Sequence, residues 1–193
     1  QTGETVLIPN DNFTVFDMVY DPQRDRLYTL GLQRTASGTR TVLTEYSGEE
    51  LDQSRTLYDA EGEDLGATMA IDERRGRIYT TLGTDKIVTV SRNERSETLE
   101  TLDSVPVELL VTDSYLYALN HDGTLSMWDS ERQEPLLTLY VMNDADSWSV
   151  ITASERYLVS DASAERALSY TGGGGLFSRE LEDFRLRPPA TVQ

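Results

Sequence analysis

Apolar and polar residues alternate in short runs along this chain, and the runs are separated by turn-forming residues. Segments 87–90 (Ile-Val-Thr-Val) and 125–128 (Leu-Ser-Met-Trp) show the two-residue period of half-buried β-strands. Asp21-Pro22, Arg75-Gly76 and Asp122-Gly123 lie between such runs and are typical of tight turns. No segment combines helix caps with a 3.6-residue apolar period. The pattern therefore predicts an all-β chain of short antiparallel strands.

One pattern recurs, most clearly over Val19–Gly31, Ala70–Gly83 and Leu110–Asn120. Each copy has an apolar strand, a turn that carries Asp, and a second strand with Tyr at its centre. In a degenerate fourth copy Leu158 replaces the tyrosine. The intervals between these positions are close to the roughly 40–50 residues of a four-stranded propeller blade. We expect the recurring residues Tyr28, Tyr79 and Tyr117, and also Trp128, to pack between adjacent sheets.

The repeat predicts four units of four strands within a single domain, residues 1–193. The units cover residues 13–66, 67–104, 105–146 and 147–184, and a tail covers 185–193. The extra residues of the first unit are assigned to polar insertions at Gln33–Arg40 and Asp59–Gly66. The predicted strands are 16–21, 26–32, 41–46, 55–58, 68–72, 77–82, 87–91, 97–102, 106–111, 115–120, 124–129, 136–142, 147–153, 156–160, 167–171 and 176–181.

The segment Ala70–Val90 resembles a blade of the YVTN (quinoprotein-dehydrogenase-like) and WD40-like β-propellers. Segment Asp122–Asp129 is similar to the end of a WD40 blade, including the pair Trp128-Asp129, which occurs once. The resemblance covers residues 13–184 as architecture, and it implies a propeller-type array of antiparallel blades. It implies no activity, because propellers support many unrelated functions. The chain departs from these families in two ways. Such propellers usually have more than four blades, and no quinone- or metal-binding constellation accompanies these blades.

Ring closure has two solutions for an array of about four blades. The blades form either a small closed ring or part of a larger ring that a second copy or another protein completes. An unclosed array would expose one apolar sheet face at each end, which is a large patch for a monomer. The apolar run Val6–Pro9 either closes a ring beside Leu176–Leu181 or forms an edge strand that faces a neighbouring molecule.

Composition limits the partners of the chain. Its 193 residues are 38% hydrophobic and carry a formal net charge of −17, and the mean hydropathy is −0.45. An acidic surface of this kind repels phosphate backbones, so nucleic acid is excluded as a partner. The charge reflects either adaptation to high salt or a generally acidic composition. No run approaches the roughly 20 apolar residues of a membrane helix.

Residue types also restrict the chemistry. The chain has no Cys and a single His, so thiolate nucleophiles, disulfides and two-histidine metal sites are excluded. His121 is assigned to an ordinary turn. We therefore expect a protein without enzymatic activity, cofactor or metal, whose function is protein–protein interaction or assembly. Because the sequence begins at Gln1, we expect a processed or excised chain, and we expect export.

The alternative function is a ligand-binding or enzymatic site over a central channel. Acidic residues cluster in Asp59–Asp64 and Asp144–Asp146, and their carboxylates could bind Ca²⁺ or a sugar. Neither cluster matches a twelve-residue calcium loop. The run Gly172–Gly175 lacks the residues of a phosphate-binding loop and is assigned to a hairpin loop.

Four residues are candidates for partner contact. Trp148 lies beside Asp146, and we expect this pair to be exposed at an inter-blade loop. Arg185 and Arg187 belong to the Pro-containing tail, which either leads to a further domain or binds an acidic partner.

Overall fold

A computed structural model describes residues 13–48, 51–61, 68–81, 87–91, 96–99, 104–141, 147–154 and 157–161. The regular structure of these residues is entirely β, which confirms the predicted all-β class. No helix among them is long and apolar enough to cross a membrane. The strands are β1 (Phe13–Asp21), β2 (Arg26–Thr35), β3 (Gly38–Ser47), β4 (Gln53–Glu61), β5 (Met69–Asp72), β6 (Arg77–Thr81), β7 (Ile87–Ser91), β8 (Ser96–Leu99), β9 (Pro106–Val111), β10 (Tyr115–Asn120), β11 (Leu125–Asp129), β12 (Glu134–Val141), β13 (Trp148–Thr152) and β14 (Tyr157–Val159).

The strands form three antiparallel sheets in which neighbours in sequence are neighbours in space. Sheet 1 has the order β1-β2-β3-β4 and sheet 2 the order β5-β6-β7-β8, as the four-strand repeat predicts. Sheet 3 contains β9 to β14 in sequential order. The first strands of the sheets also approach one another, since β5 contacts both β1 and β9.

Sheet 3 differs from the prediction, because it has six strands where the repeat predicts a break near residue 147. The end of β12 pairs with β13 from Leu137 opposite Thr152 to Val141 opposite Trp148, and β13 pairs with β14. The long outer strand β12 would otherwise leave its backbone groups unpaired at a sheet edge, and the next strand along the chain pairs with them. The predicted strands 167–171 and 176–181 lie outside the described residues.

The prediction that Gln33–Arg40 is a polar insertion between strands is also wrong. It is a continuation of β2 and β3, which pair up to Thr35 opposite Gly38. Gly38 has a positive φ of 141°, a conformation that suits glycine in so short a hairpin. The segment is polar because the tip of this hairpin is largely exposed, so its composition resembles that of a loop.

Sheet 2 is packed between the other two sheets, and its strands alternate between two cores. Residues of sheets 1 and 2 form the first core, and residues of sheets 2 and 3 form the second. In β5 Met69 belongs to the first core and Ala70 to the second, and in β6 the same holds for Ile78 and Tyr79. The first core comprises Tyr28, Leu30, Leu43, Leu57, Met69, Ile78, Val88 and Val90. The second comprises Ala70, Tyr79, Ile87, Leu99, Leu109, Leu116, Ala118 and Trp128.

The three recurring tyrosines occupy one position, the third residue of the second strand in each sheet. Tyr28 lies in the first core and Tyr79 in the second, so the predicted role between sheets is confirmed for both. Trp128 is buried beside Tyr79 in the second core, also as predicted. Tyr117 is only half-buried, because it belongs to the outer face of the last sheet.

Candidate interaction surface

Strand register identifies equivalent positions in the three sheets. Val19, Ala70 and Leu110 each lie opposite the recurring tyrosine of their sheet. Because directly opposed residues point to the same face, each pair marks one face. In sheets 1 and 2 this face packs on the next sheet along the chain. We call it the forward face of each sheet.

The opposite face, which we call the rear face, is marked by the neighbouring positions of the first strand. Met18, Met69 and Leu109 are equivalent, since they lie opposite Thr29, Thr80 and Ala118. Met69 packs on sheet 1 and Leu109 packs on sheet 2. Each of the two junctions between the described sheets therefore joins a forward face to the rear face of the following sheet.

The junction between sheets 2 and 3 includes directed polar contacts near the turns of sheet 3. The hydroxyl of Tyr79 donates to the carbonyl oxygen of Ser130 at 3.1 Å, and burial raises the pKa of this hydroxyl. The guanidinium of Arg77 donates to the same oxygen at 2.9 Å, and that of Arg75 donates to the carbonyl of Asp113 at 2.9 Å. These bonds fix the relative position of the two sheets.

Arg75 is oriented by a turn that also occurs in sheet 1. The carboxylate of Asp72 accepts from the backbone N–H and from the guanidinium of Arg75, both at 2.9 Å, and raises the pKa of the arginine. In sheet 1 the carboxylate of Asp21 accepts from the guanidinium of Arg24, also at 2.9 Å. Both carboxylates are almost fully buried. The spacing Asp-x-x-Arg at the start of each hairpin is the sequence signal of this turn.

A related turn joins β11 to β12. The carboxylate of Asp129 accepts from the backbone N–H groups of Glu131 and Arg132, each at 2.8 Å. The bond from the backbone of Arg132 is the main cause that lowers the pKa of Asp129. This turn positions the carbonyl of Ser130, which accepts the hydrogen bonds from Tyr79 and Arg77.

The forward face of sheet 3 carries several exposed apolar side chains beside the exposed carboxylate of Glu108. Leu110, Leu119 and Tyr115 are 62%, 42% and 39% exposed. Tyr115 packs edge-on against Tyr117, with ring centroids 6.1 Å apart. Tyr115 is the first residue of its second strand, where sheet 2 has Arg77. Arg77 of sheet 2 forms hydrogen bonds to sheet 3, and in sheet 3 the aromatic residue Tyr115 occupies the equivalent position.

The rear face of sheet 1 is exposed only along its first strand. Met18, Tyr20 and Val15 are 62%, 50% and 44% exposed. All three lie on β1, whereas Val42 and Tyr46, farther across the same face, are buried. Sheet 2 has no such surface, because both of its faces are covered. Contiguous exposed apolar side chains of this kind mark interaction surfaces in proteins.

The structure places one of the four predicted contact residues. Trp148 is half-buried at the start of β13, opposite the exposed Val141, and its backbone N–H donates to the hydroxyl of Ser160 at 2.8 Å. It therefore lies at the edge of the forward face of sheet 3. Asp146, Arg185 and Arg187 lie outside the described residues, as do Val6–Pro9 and Gly172–Gly175. The exposed residues Leu110 and Met18 were not singled out from the sequence. Alignment of the repeats nevertheless places Leu110 with Ala70 and Met18 with Met69.

The other candidate residues are placed only in part. His121 is exposed in the turn after β10, and its backbone N–H donates to the carbonyl of Val105. Asp59 lies in β4 and forms an ion pair with Arg40 at 2.8 Å. Residues 62–67 and 142–146 lie outside the described part of the chain. Within the described part, no group of three or more acidic or histidine side chains could hold a metal ion.

Comparisons with known proteins give the following similarities. A family model described as "Uncharacterised protein" matches residues 73–142, and no curated protein matches the chain. The WD40 β-propeller domain of Doa1 is 14% identical with a TM-score of 0.49, over 79% of this chain and 53% of that one. The computationally designed Ika4 protein is 11% identical with a TM-score of 0.48, over 82% and 98%. HIRA(644–1017) is 14% identical with a TM-score of 0.46, over 78% and 57%. The chain spans just over half the length of the Doa1 and HIRA structures.

Proposed function

We propose that this chain is a non-catalytic assembly module that binds protein through the exposed forward face of sheet 3. The observation that carries the proposal is the forward face of sheet 3. Leu110 is exposed there, while the equivalent Ala70 of sheet 2 is buried against the next sheet. The same position is thus an interface inside the molecule and a free surface at its end.

The proposal includes the finer architecture. The sheets are propeller-type blades, about four in number, and a partner completes the ring that they begin. Sheet stacking of this kind is stabilised by neighbour contacts, so an end sheet lacks half of its stabilising interface until a partner binds. Trp148, at the edge of the forward face, is proposed to contact that partner. Arg185 and Arg187 stay proposed contacts on the basis of sequence alone.

The character of the exposed surface supports recognition of protein. Its residues include aliphatic and aromatic side chains beside Glu108, and Tyr115 and Tyr117 offer large rigid side chains with polar ends, a type enriched in protein interfaces. A net charge of −17 disfavours nucleic acid. We further propose that the chain is not an enzyme, since its single histidine lies exposed in a turn.

Light scattering on the full chain tests this function at low and at high salt. We expect a mass above 21.7 kDa that increases with salt, because screening reduces the repulsion between copies that each carry a charge of −17. Leu110→Asp should lower that mass toward 21.7 kDa, since a carboxylate would be buried without a partner.

Val105→Asp is the control, because Val105 is also an exposed apolar residue, at 39%, but precedes β9 and lies outside it. It should keep the mass of the wild-type protein. A wild-type chain that is monomeric at both salt concentrations would overturn the proposed function.

A further inference from the structure

We propose that the forward face of sheet 3 binds the same face of a second copy, so that two chains form a two-fold symmetric dimer. The inference rests on the proposed function, namely that this face binds protein, and it names both the partner and the partner's surface. The two sheets pack face to face, as the sheets of a β-sandwich do. The second copy takes the place that a following sheet has at the internal junctions.

The forward face of sheet 3 carries apolar side chains on all six of its strands. Cross-strand pairing aligns two rows of residues on this face, from β9 towards β14. The first row is Glu108, Leu119, Leu125, Leu139, Val150 and Leu158. The second row is Leu110, Tyr117, Met127, Leu137 and Thr152. All of these residues are half-buried or exposed, and the one charged member, Glu108, lies on the outer strand β9.

The equivalent positions of sheet 2 show what such residues do at an internal junction. In sheet 2, Thr81 lies opposite Ile87, and both are 0% exposed. In sheet 3 the equivalent pair is Leu119 and Leu125. This pair is the more apolar of the two, yet Leu119 is 42% exposed and Leu125 is only half-buried. A pair more apolar than its buried equivalent is therefore left in contact with water, as on surfaces that bind a second protein.

The face lacks the polar donors that hold one sheet on the next inside the molecule. Arg77 and Arg75 of sheet 2 donate to backbone carbonyls of sheet 3. In sheet 3 the equivalent of Arg77 is Tyr115, and the turn between β9 and β10, Thr112–Ser114, contains no arginine. Apolar contact is thus the main interaction that this face offers, and it suits the packing of two like sheets.

The described residues leave a second copy one sheet face to share. Both faces of sheet 2, the forward face of sheet 1 and the rear face of sheet 3 contribute to the two cores. The rear face of sheet 1 is also covered beyond its first strand, because four of its residues are at most 9% exposed, namely Thr29, Val42, Thr44 and Tyr46. Among the three described sheets, the forward face of sheet 3 is therefore the surface that two copies can both use. A contact between the same surface on both copies is isologous and has two-fold symmetry.

The face also has the extent that a dimer interface needs. Its six strands, about 4.8 Å apart, span about 29 Å, and a strand of five residues such as β11 is about 17 Å long. The flat area is therefore about 500 Å², and the relief of the side chains makes the accessible area larger. A standard interface takes about 600–1,000 Å² from each partner. Pairing of the two faces buries an area of this order and leaves Glu108 at the rim.

Light scattering on the full chain tests the symmetry, because an isologous pair is closed. At high salt, where the repulsion between two chains of charge −17 is screened, we expect the mass to reach twice 21.7 kDa. It should then stay constant as the protein concentration rises. A mass that continues to grow beyond the dimer would show that unlike surfaces meet, and it would overturn the symmetric pairing.

Substitutions on and off the face locate the contact. Leu110→Asp should raise the dissociation constant by about a hundredfold or more, because each dimer would bury two carboxylates in an apolar interface. Leu119→Asp, on the next strand of the same face, repeats this test if Leu110→Asp lowers the thermal midpoint. Met18→Asp is the matched control, since Met18 and Leu110 are both 62% exposed but Met18 lies on β1. It should leave the dissociation constant within about twofold of the wild-type value.

Binding of a fluorescently labelled Leu110→Asp chain to the unlabelled wild-type chain tests whether the two surfaces are the same. In a symmetric dimer this pair contains one altered face, and it should bind at least about tenfold more weakly than two wild-type chains. If unlike surfaces meet, the variant still offers an intact second surface to the wild-type face and binds within about twofold of the wild-type value. The second result would overturn the symmetric pairing.

The outcomes separate the inference from the function on which it rests. A wild-type chain that is monomeric at both salt concentrations overturns both, and so does association that survives Leu110→Asp and Leu119→Asp unchanged. Self-association that is lost in these two variants, together with full binding of labelled Leu110→Asp to the wild-type chain, overturns the symmetric pairing alone. A Met18→Asp variant that is weakened as much as Leu110→Asp has the same consequence.

Discussion

Replacing Tyr79 with alanine is expected to lower the free energy of unfolding by about 3–5 kcal/mol, the usual loss for a fully buried aromatic side chain. Tyr79 has no exposed surface and packs with residues of sheets 2 and 3 in the second core. Its hydroxyl also donates to the carbonyl of Ser130 across the junction. The loss is large because domains of this size are stable by only about 5–15 kcal/mol in total. Equilibrium denaturation by urea measures it.

Two related variants separate packing from the hydrogen bond. Tyr79→Phe keeps the ring and should cost about 1 kcal/mol, the typical net value of one hydrogen bond. Tyr117→Ala, at the equivalent but half-buried position of sheet 3, should cost clearly less than Tyr79→Ala. Equal losses at the two tyrosines would contradict the arrangement in which Tyr79 lies inside a junction between sheets and Tyr117 lies on a partly exposed face.

Replacing Asp72 with alanine is expected to cost about 2–4 kcal/mol, slightly below the usual loss when one partner of a buried ion pair is removed. The carboxylate of Asp72 is 3% exposed and accepts two hydrogen bonds from Arg75. We expect a loss of stability below the usual range because the guanidinium of Arg75 is 15% exposed and still donates to the carbonyl of Asp113. Urea denaturation measures this loss as well.

A double-mutant cycle with Arg75→Ala isolates the ion pair from the turn hydrogen bonds. Asp129→Ala is the matched control. It removes the carboxylate of a similar turn that is less buried and that bonds to the backbone of Arg132 rather than to a buried guanidinium. A cycle in which the losses at Asp72 and Arg75 simply add would show that the pair does not couple the turn to sheet 3.

Alternation and repeat spacing predict the elements well, because strand period and turn chemistry are local properties. Every described strand overlaps a strand predicted from the sequence. The shared position of Tyr28 and Tyr79 follows from aligning the copies of the repeat. The pairing of β12 with β13 could not be predicted in this way. It depends on which edge is free once the sheets have formed, and the sequence of Leu137–Val141 is compatible with either arrangement. The hairpin tip at Thr35 and Gly38 was missed for a different reason, since a strand exposed on both faces has the composition of a loop.

The sequence predicts that the candidate surface is an apolar face at the end of the array, but it does not predict which residues form that surface. Repeat architecture implies apolar end faces, and the structure shows exposed apolar side chains on the forward face of sheet 3 and along β1 of sheet 1. Which residues remain exposed depends on strand register, and a β-bulge between Val15 and Asp17 shifts the register of β1. Trp148 was singled out for its size and its position near a loop, and it lies at the margin of the forward face rather than at its centre. Leu110 and Met18 carry no chemical signal in isolation, because single exposed apolar residues are common on proteins.

Hydrogen exchange on the full chain, followed by strand at low and at high protein concentration, tests the central claim most directly. The claim is that sheet 2 is covered on both faces while the forward face of sheet 3 stays exposed for a protein partner. We expect β6 and β7 to exchange most slowly at both concentrations, because their amides open only when the stack is disrupted. We expect β9 to exchange faster in dilute solution and to become protected as concentration rises. Exchange in β6 as fast as in β9, or a rate in β9 that does not change with concentration while the mass increases, would contradict the account.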